Sequence, residues 1–181
     1  MEYQRLFIAL PLPPSLHAVV NTYQEKLQPL HPKFHWTPSR RLHLTLLFLG
    51  TQPTTCIPTW RSRLDTIASL TAPLALQLGQ LGAFPTPSQP HVIWLGMAGQ
   101  SLAGLHTLAN QLSQHHPSQK PFIPHITLGR HHGRGATEAL TQSSSAHGAC
   151  WQAKEMTLFS SNQPKPGKLF YTALHTSKFS L

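Results

Sequence analysis

The sequence predicts an α+β protein built from two related lobes. Three observations point there. Strand-like and helix-like segments alternate, and the order strand, helix, strand, helix, strand over residues 6–84 begins again at residue 91. No glycine-rich phosphate loop follows the first strand, as a doubly wound nucleotide-binding sheet would require. The chain closes on two successive strand-like segments, which suit antiparallel sheets. At this length one domain is expected, so residues 1–181 are read as a single domain of two pseudo-repeat lobes. Antiparallel sheets would flank a central cleft, with helices outside.

Each element has a local reason. Residues 6–10 are apolar and stop at Pro11, which suits a buried strand. Ser15 is an N-cap candidate for a helix reaching residue 30. Residues 27–41, rich in Pro, His and Arg, read as a loop. Residues 42–50 form a strand ended by Gly50, residues 51–55 a turn, and residues 58–70 a helix with Leu64, Ile67 and Ala68 on one face. Residues 74–84 are extended, with Leu74, Leu76 and Leu78 alternating, and residues 85–90 are a turn. In the second half, residues 91–97 are a strand. Ser101 is the N-cap of a helix to residue 115, in which Leu102, Leu105, Leu108 and Leu112 recur at helical spacing. Residues 116–124 are a loop, 125–130 a strand, 131–135 a turn, and a weak helix starts near Thr137. Residues 151–160 and 169–181 are the closing strands.

Composition narrows the chemistry. The 181 residues hold 14 Lys and Arg but only 5 Asp and Glu, a net charge of +9. The acids Glu2, Glu25, Asp65, Glu138 and Glu155 are scattered. Two-metal nucleases, Mg-dependent kinases and carboxylate-pair glycosidases need clustered carboxylates, so these classes are disfavoured. The 13 histidines instead supply groups that titrate near neutral pH. Such a basic chain suits an anionic partner such as nucleic acid. Cys56 and Cys150 lack the spacing of a disulfide framework or a zinc site, so a reduced, cytoplasmic protein without metal or cofactor is expected. The apolar run at residues 6–12 is broken by Pro11 and followed by Pro13 and Pro14, which reads as a strand and not a signal peptide. No apolar stretch approaches the length of a membrane span.

One pattern carries chemistry. His43-Leu44-Thr45-Leu46 in the first half recurs 82 residues later as His125-Ile126-Thr127-Leu128. In a strand, residues i and i+2 share a face. His43 and Thr45 therefore point one way and the leucines the other, and His125 with Thr127 do the same. A pseudo-two-fold axis would bring two imidazoles and two hydroxyls to one cleft. In-line displacement at a phosphodiester needs a base for the nucleophile and an acid for the leaving oxygen. Two histidines supply both without a metal. The threonine hydroxyls can donate to phosphate oxygens, where developing charge makes donors most effective. Arg130 can add a charge-assisted contact; strict alternation places it on the face opposite His125, and it reaches the cleft only if the strand twists or ends near Gly129.

With these motifs the chain resembles the two-histidine (2H) phosphoesterases, and among them the LigT-like RNA 2',3'-cyclic phosphodiesterases, also called 2'-5' RNA ligases. RLFIALPLP (5–13), RLHLTLLFLG (41–50), HVIWLGM (91–97), PFIPHITLGR (121–130) and LFSSNQPKPGKLFYTAL (158–174) carry the resemblance over nearly the whole chain. It implies a bilobal fold and metal-free hydrolysis of RNA 2',3'-cyclic phosphate ends to 2'-phosphomonoesters. It further implies His43 as proton donor to the leaving 3' oxygen, His125 as the base that activates water, and Thr45, Thr127 and Arg130 as phosphate holders. The implied partner is RNA with such ends, or cyclic nucleotides, met by a monomer away from membranes. Alternatives are a 2'-5' RNA ligase acting on tRNA halves and a non-catalytic RNA or nucleotide-binding module.

Phe48, Phe84, Phe122 and Trp36 can stack a base, although core packing is the default for Phe48. Arg40, Arg41, Arg61, Arg63, Lys165 and Lys168 can line an RNA path. The adjacent pairs His115-His116 and His131-His132 lack a neighbouring Cys or carboxylate to complete a metal site. Ser143 to Ser145 read as a polar turn.

Overall fold

The computed structural model describes residues 2–116, 121–131, 133, 137–140, 148–165 and 168–180, without the side chains of 163–165 and 168. Nine strands among these residues form one continuous sheet. They are β1 (Tyr3–Pro11), β2 (Phe34–Trp36), β3 (His43–Pro53), β4 (Leu74–Thr86), β5 (Gln89–Ala98), β6 (His125–His131), β7 (Cys150–Ala153), β8 (Glu155–Lys165) and β9 (Lys168–Lys178). The order is β7-β4-β5-β6-β3-β1-β8-β9, with β2 also on β6, and every pairing is antiparallel. Two halves, β7-β4-β5-β6 with β2 and β3-β1-β8-β9, meet at the centre through one residue pair, Leu44 opposite Ile126. The α+β class and the two lobes expected from the sequence are both present.

The lobes are not the two halves of the sequence. β4 closes the first half of the chain but pairs with β5 and β7. β8, near the chain's end, pairs with β1. The first half thus gives β4 to the other lobe and the second half gives β8 and β9, and the exchange keeps the two-fold relation: β1 lies between β3 and β8 as β5 lies between β6 and β4. Alternation in the sequence marks which face a strand buries, not which strand lies beside it. That is why the exchange was not foreseen.

Three helices cover one face of the sheet: α1 (His17–Leu27), α2 (Ile57–Ser69) and α3 (Leu102–Ser113). Val20 and Leu27 of α1, Trp60 and Leu64 of α2, and Leu105 and Leu112 of α3 join one apolar cluster with Leu6, Ile8, Leu44, Leu76, Ile93 and Ile126 from the strands. Truncating any of these aliphatic strand residues to Ala costs about 2–5 kcal/mol. The caps differ from expectation. Pro14–Leu16 form a 3-10 turn before α1, and neither Ser15 nor Ser101 makes a capping bond, since no side chain caps α1 or α3.

Three further segments depart from the sequence reading. Within the expected loop at residues 27–41, β2 pairs with β6; three residues are too few to show alternation. The strand expected at 151–160 is two strands that separate at Lys154, one on β4 and one on β1. Residues 137–140 are not helical, and the rest of that expected helix lies largely outside the described residues. The Ser143 to Ser145 turn lies outside them entirely.

Candidate active site

The face opposite the helices carries the polar residues of both motifs. His43 opens β3 opposite Pro11, and His125 opens β6 opposite Gly96. The Leu44–Ile126 pair lies at the two-fold axis, and both side chains point into the core. Their neighbours His43, Thr45, His125 and Thr127 must then point into the cleft. His125 is near enough for its charge to act on His43. The expected pair of imidazoles with two threonines is thus brought together.

Both rings are held in the same way. His43 Nδ1 lies 2.6 Å from the carbonyl of Arg41, and His125 Nδ1 lies 2.6 Å from the carbonyl of Ile123. A carbonyl only accepts, so each Nδ1 carries the proton and donates it. This leaves Nε2 of each ring as the atom free for chemistry. In a neutral ring that atom offers a lone pair, the state a general base needs.

Aromatic walls fix the rings further. Phe7 and Tyr171 lie 5.1 and 5.3 Å from the His43 ring, the second edge-on. Phe84 stands edge-on to His125 at 5.1 Å, with Trp94 at 5.8 Å. The Trp94 indole lies across Gly82, where a Cβ would overlap its ring. Burial among these groups pushes the His43 pKa down to about 4, against the Arg41 hydrogen bond and with help from Arg130, His125 and Arg41 charges. Burial likewise lowers the His125 pKa; the Ile123 bond opposes this and the Arg130 charge adds to it.

A bulge decides where Arg130 goes. Ile93 pairs with Gly129 but Trp94 pairs with Thr127, so Leu128 is an extra residue in β6. Leu128 and Gly129 are both buried, and alternation resets after them. Arg130 therefore shares the face of Thr127 and donates from Nη2 to Thr127 Oγ1 at 3.4 Å. The placement opposite His125 expected from strict alternation is corrected by this extra residue. β3 repeats the device at Leu46. It carries Phe48, at the position related to Arg130, onto the cleft face with 56% of its surface exposed. The core position expected for Phe48 is thereby corrected.

A family model for the 2'-5' RNA ligase superfamily matches residues 12–164. The chain belongs to this superfamily. It is 35% identical over 137 residues to the RNA 2',3'-cyclic phosphodiesterase of Thermus thermophilus, a match covering 70% of this chain and 68% of the relative. It is 30% identical over 189 residues to the Escherichia coli protein of that name, covering 96% and 95%. The solved structure of T. thermophilus TT0787 shares the fold with a TM-score of 0.82 at 29% identity over 97% of each chain. Apo E. coli LigT gives 0.79 at 30% identity over 100% of both. E. coli LigT has also been solved with phosphate and with 3'-AMP.

In this superfamily member, some sequence candidates fall outside the cleft. Arg61 on α2 donates to the Leu174 carbonyl at 3.0 Å, and Arg63 lies 5.2 Å over Trp60; α2 covers the sheet's helical face. Phe122 packs on His106, and Trp36 lies against Gly129. Phe84 and Arg41 do reach the site. Phe7, Trp94, Phe159 and Tyr171 were missed, because each stands beside another apolar residue and alternation there does not mark its face. Arg5, whose charge reaches Arg130, was missed as well, because nothing in the sequence pairs β1 with the second motif. Among the described residues no three His, Cys, Asp or Glu side chains are grouped to hold a metal ion.

Proposed function

We propose that this superfamily member hydrolyses RNA 2',3'-cyclic phosphate ends to 2'-phosphomonoesters, with His125 as base and His43 as acid. One observation carries the reading: two imidazoles from related strands, each tied through Nδ1, leave two Nε2 atoms for one cleft. His125 Nε2 takes a proton from water as the water oxygen bonds to phosphorus. The bond from phosphorus to the 3' oxygen breaks, and that oxygen takes the proton held on His43 Nε2. The product keeps its phosphate on the 2' oxygen. Thr45, Thr127 and Arg130 hold the non-bridging oxygens, where charge grows in the transition state. The direction of proton flow and the choice of substrate rest on the relatives, which carry the name RNA 2',3'-cyclic phosphodiesterase.

Both histidines and both threonines come from one chain, which supports a monomer as the working unit. Cys56 and Cys150 are free, and this supports a reducing, cytoplasmic setting. No helix among the described residues is long and apolar enough to cross a membrane.

Incubation of a short RNA bearing a 2',3'-cyclic phosphate in excess EDTA tests the reading. A 2'-phosphomonoester product is expected. His43→Ala and His125→Ala are each expected to lower turnover by about 10² to 10⁴. Full turnover in both variants, or a reaction that needs added metal, would overturn the two-histidine mechanism. Adding an RNA with a free 5' hydroxyl measures the ligase direction, in which that hydroxyl replaces water.

A further inference from the structure

The cleft does not end at His43. His43 also lines a cavity of about 190 Å³ at the end of the first lobe, walled by Phe159, Phe170 and Tyr171. Arg40, Arg41 and His17 line the same cavity, and among the described residues no carboxylate does. Arg41 is only partly satisfied there. Its Nη1 donates to the Leu169 carbonyl at 3.2 Å, while its buried Nε has no hydrogen-bond partner. A buried donor without an acceptor is costly, and a charged one more so. Ser39 adds no free donor, since its hydroxyl is spent on Asn21 Oδ1. The cavity is therefore a cationic recess one residue from the acid–base pair, with a donor lacking an acceptor.

We propose that this recess is a second anion subsite, which holds the phosphodiester on the 5' side of the terminal nucleotide and so favours RNA ends over nucleoside cyclic phosphates. The proposal rests on the hydrolase reading above. In that reading His43 protonates the 3' oxygen, so the terminal ribose lies on His43's side and water enters from His125's side. The strand that the ribose terminates leaves the site past His43, where the recess lies. Arg41 is the anchor, Arg40 adds charge at the opening, and the half-exposed Phe170 gives the strand an apolar wall.

The test compares a dinucleotide ending in a 2',3'-cyclic phosphate with the matching nucleoside 2',3'-cyclic phosphate. The dinucleotide is expected to have a KM about tenfold lower, the worth of one charge-assisted contact. Arg40→Ala and Arg41→Lys are expected to bring the ratio of the two KM values toward one. Arg41→Lys keeps the charge and the backbone that holds His43, so it separates loss of the guanidinium from loss of fold. A dinucleotide with a neutral methylphosphonate linkage is expected to lose the advantage. The proposal is overturned if that neutral dinucleotide keeps it, which would mark a base or ribose pocket, or if both variants leave the ratio unmoved. Absence of turnover on every substrate would count against the hydrolase reading alone. Calorimetric binding of the charged and neutral dinucleotides to the intact protein then still decides the subsite.

Discussion

In the proposed mechanism His43 and His125 share a tether but do opposite jobs, and their surroundings set the pH at which they can. Burial and nearby cations hold both below the ordinary histidine value, His43 at about 4. In the free protein at neutral pH both are then uncharged. His125 is ready as a base, whereas His43 must gain a proton before it can act as an acid. A bound phosphodiester brings a negative charge that offsets the Arg130 and Arg41 charges and raises both values. The pH profile of kcat/KM, which reports the free protein, is therefore expected to be a bell with its maximum below pH 6.5. The kcat profile is expected to lie at higher pH. Both are read from initial rates between pH 4 and 9, and a kcat/KM maximum above pH 7 would contradict this account. The two limbs belong to the coupled pair and not to either ring.

Among the elements, the bulges and the α2–β9 tie show two uses of local irregularity. The matched bulges at Leu46 and Leu128 turn the third residue beyond each cleft threonine back toward the cleft. In one lobe that residue is Arg130 and in the other Phe48, so one backbone device presents a charge on one side and a ring on the other. The tie is different in kind. Asp65 of α2 accepts from Ser177 Oγ at 2.7 Å and His175 Nε2 at 2.8 Å, fastening the helix to β9 on the sheet face away from the cleft. Those two bonds draw the Asp65 pKa down. Asp65 is 58% exposed and His175 is partly exposed, so the expected loss in Asp65→Ala is modest, about 1 kcal/mol, read from the urea midpoint. Its kcat/KM is expected to stay at the wild-type level; a fall of tenfold or more would show that the tie positions the site.

The same buried histidines govern how the whole molecule meets acid. Most proteins lose stability at low pH because paired carboxylates are protonated, but this chain has five acids. His31, His43 and His125 all have folded pKa values below the unfolded one, in each case chiefly through burial. Above pH 6.5 these rings are neutral in both states and cost nothing. As pH falls from 6.5 toward 4 the unfolded chain takes up protons that the folded protein resists, so stability is lost over that window. His43 contributes at most about 3 kcal/mol of the loss. Asp65 acts only lower, as pH falls below the ordinary carboxylate value. The urea midpoint is expected to drop between pH 6.5 and 4, and less steeply in His43→Phe. Parallel curves for the two proteins would remove His43 from this role. By itself the sequence determined the lobes' common plan, the core faces of the strands and the four cleft residues of the paired motifs, because alternation and repetition are local and survive in one dimension. Only the tertiary structure decided that β4 crosses to one lobe and β8 with β9 to the other, that one extra residue in each motif strand returns Arg130 and Phe48 to the cleft, and that Phe7, Tyr171 and Trp94 wall the histidines. Strand partners and bulges depend on contacts between residues far apart in the chain, and the pairing that selects them leaves no period to read.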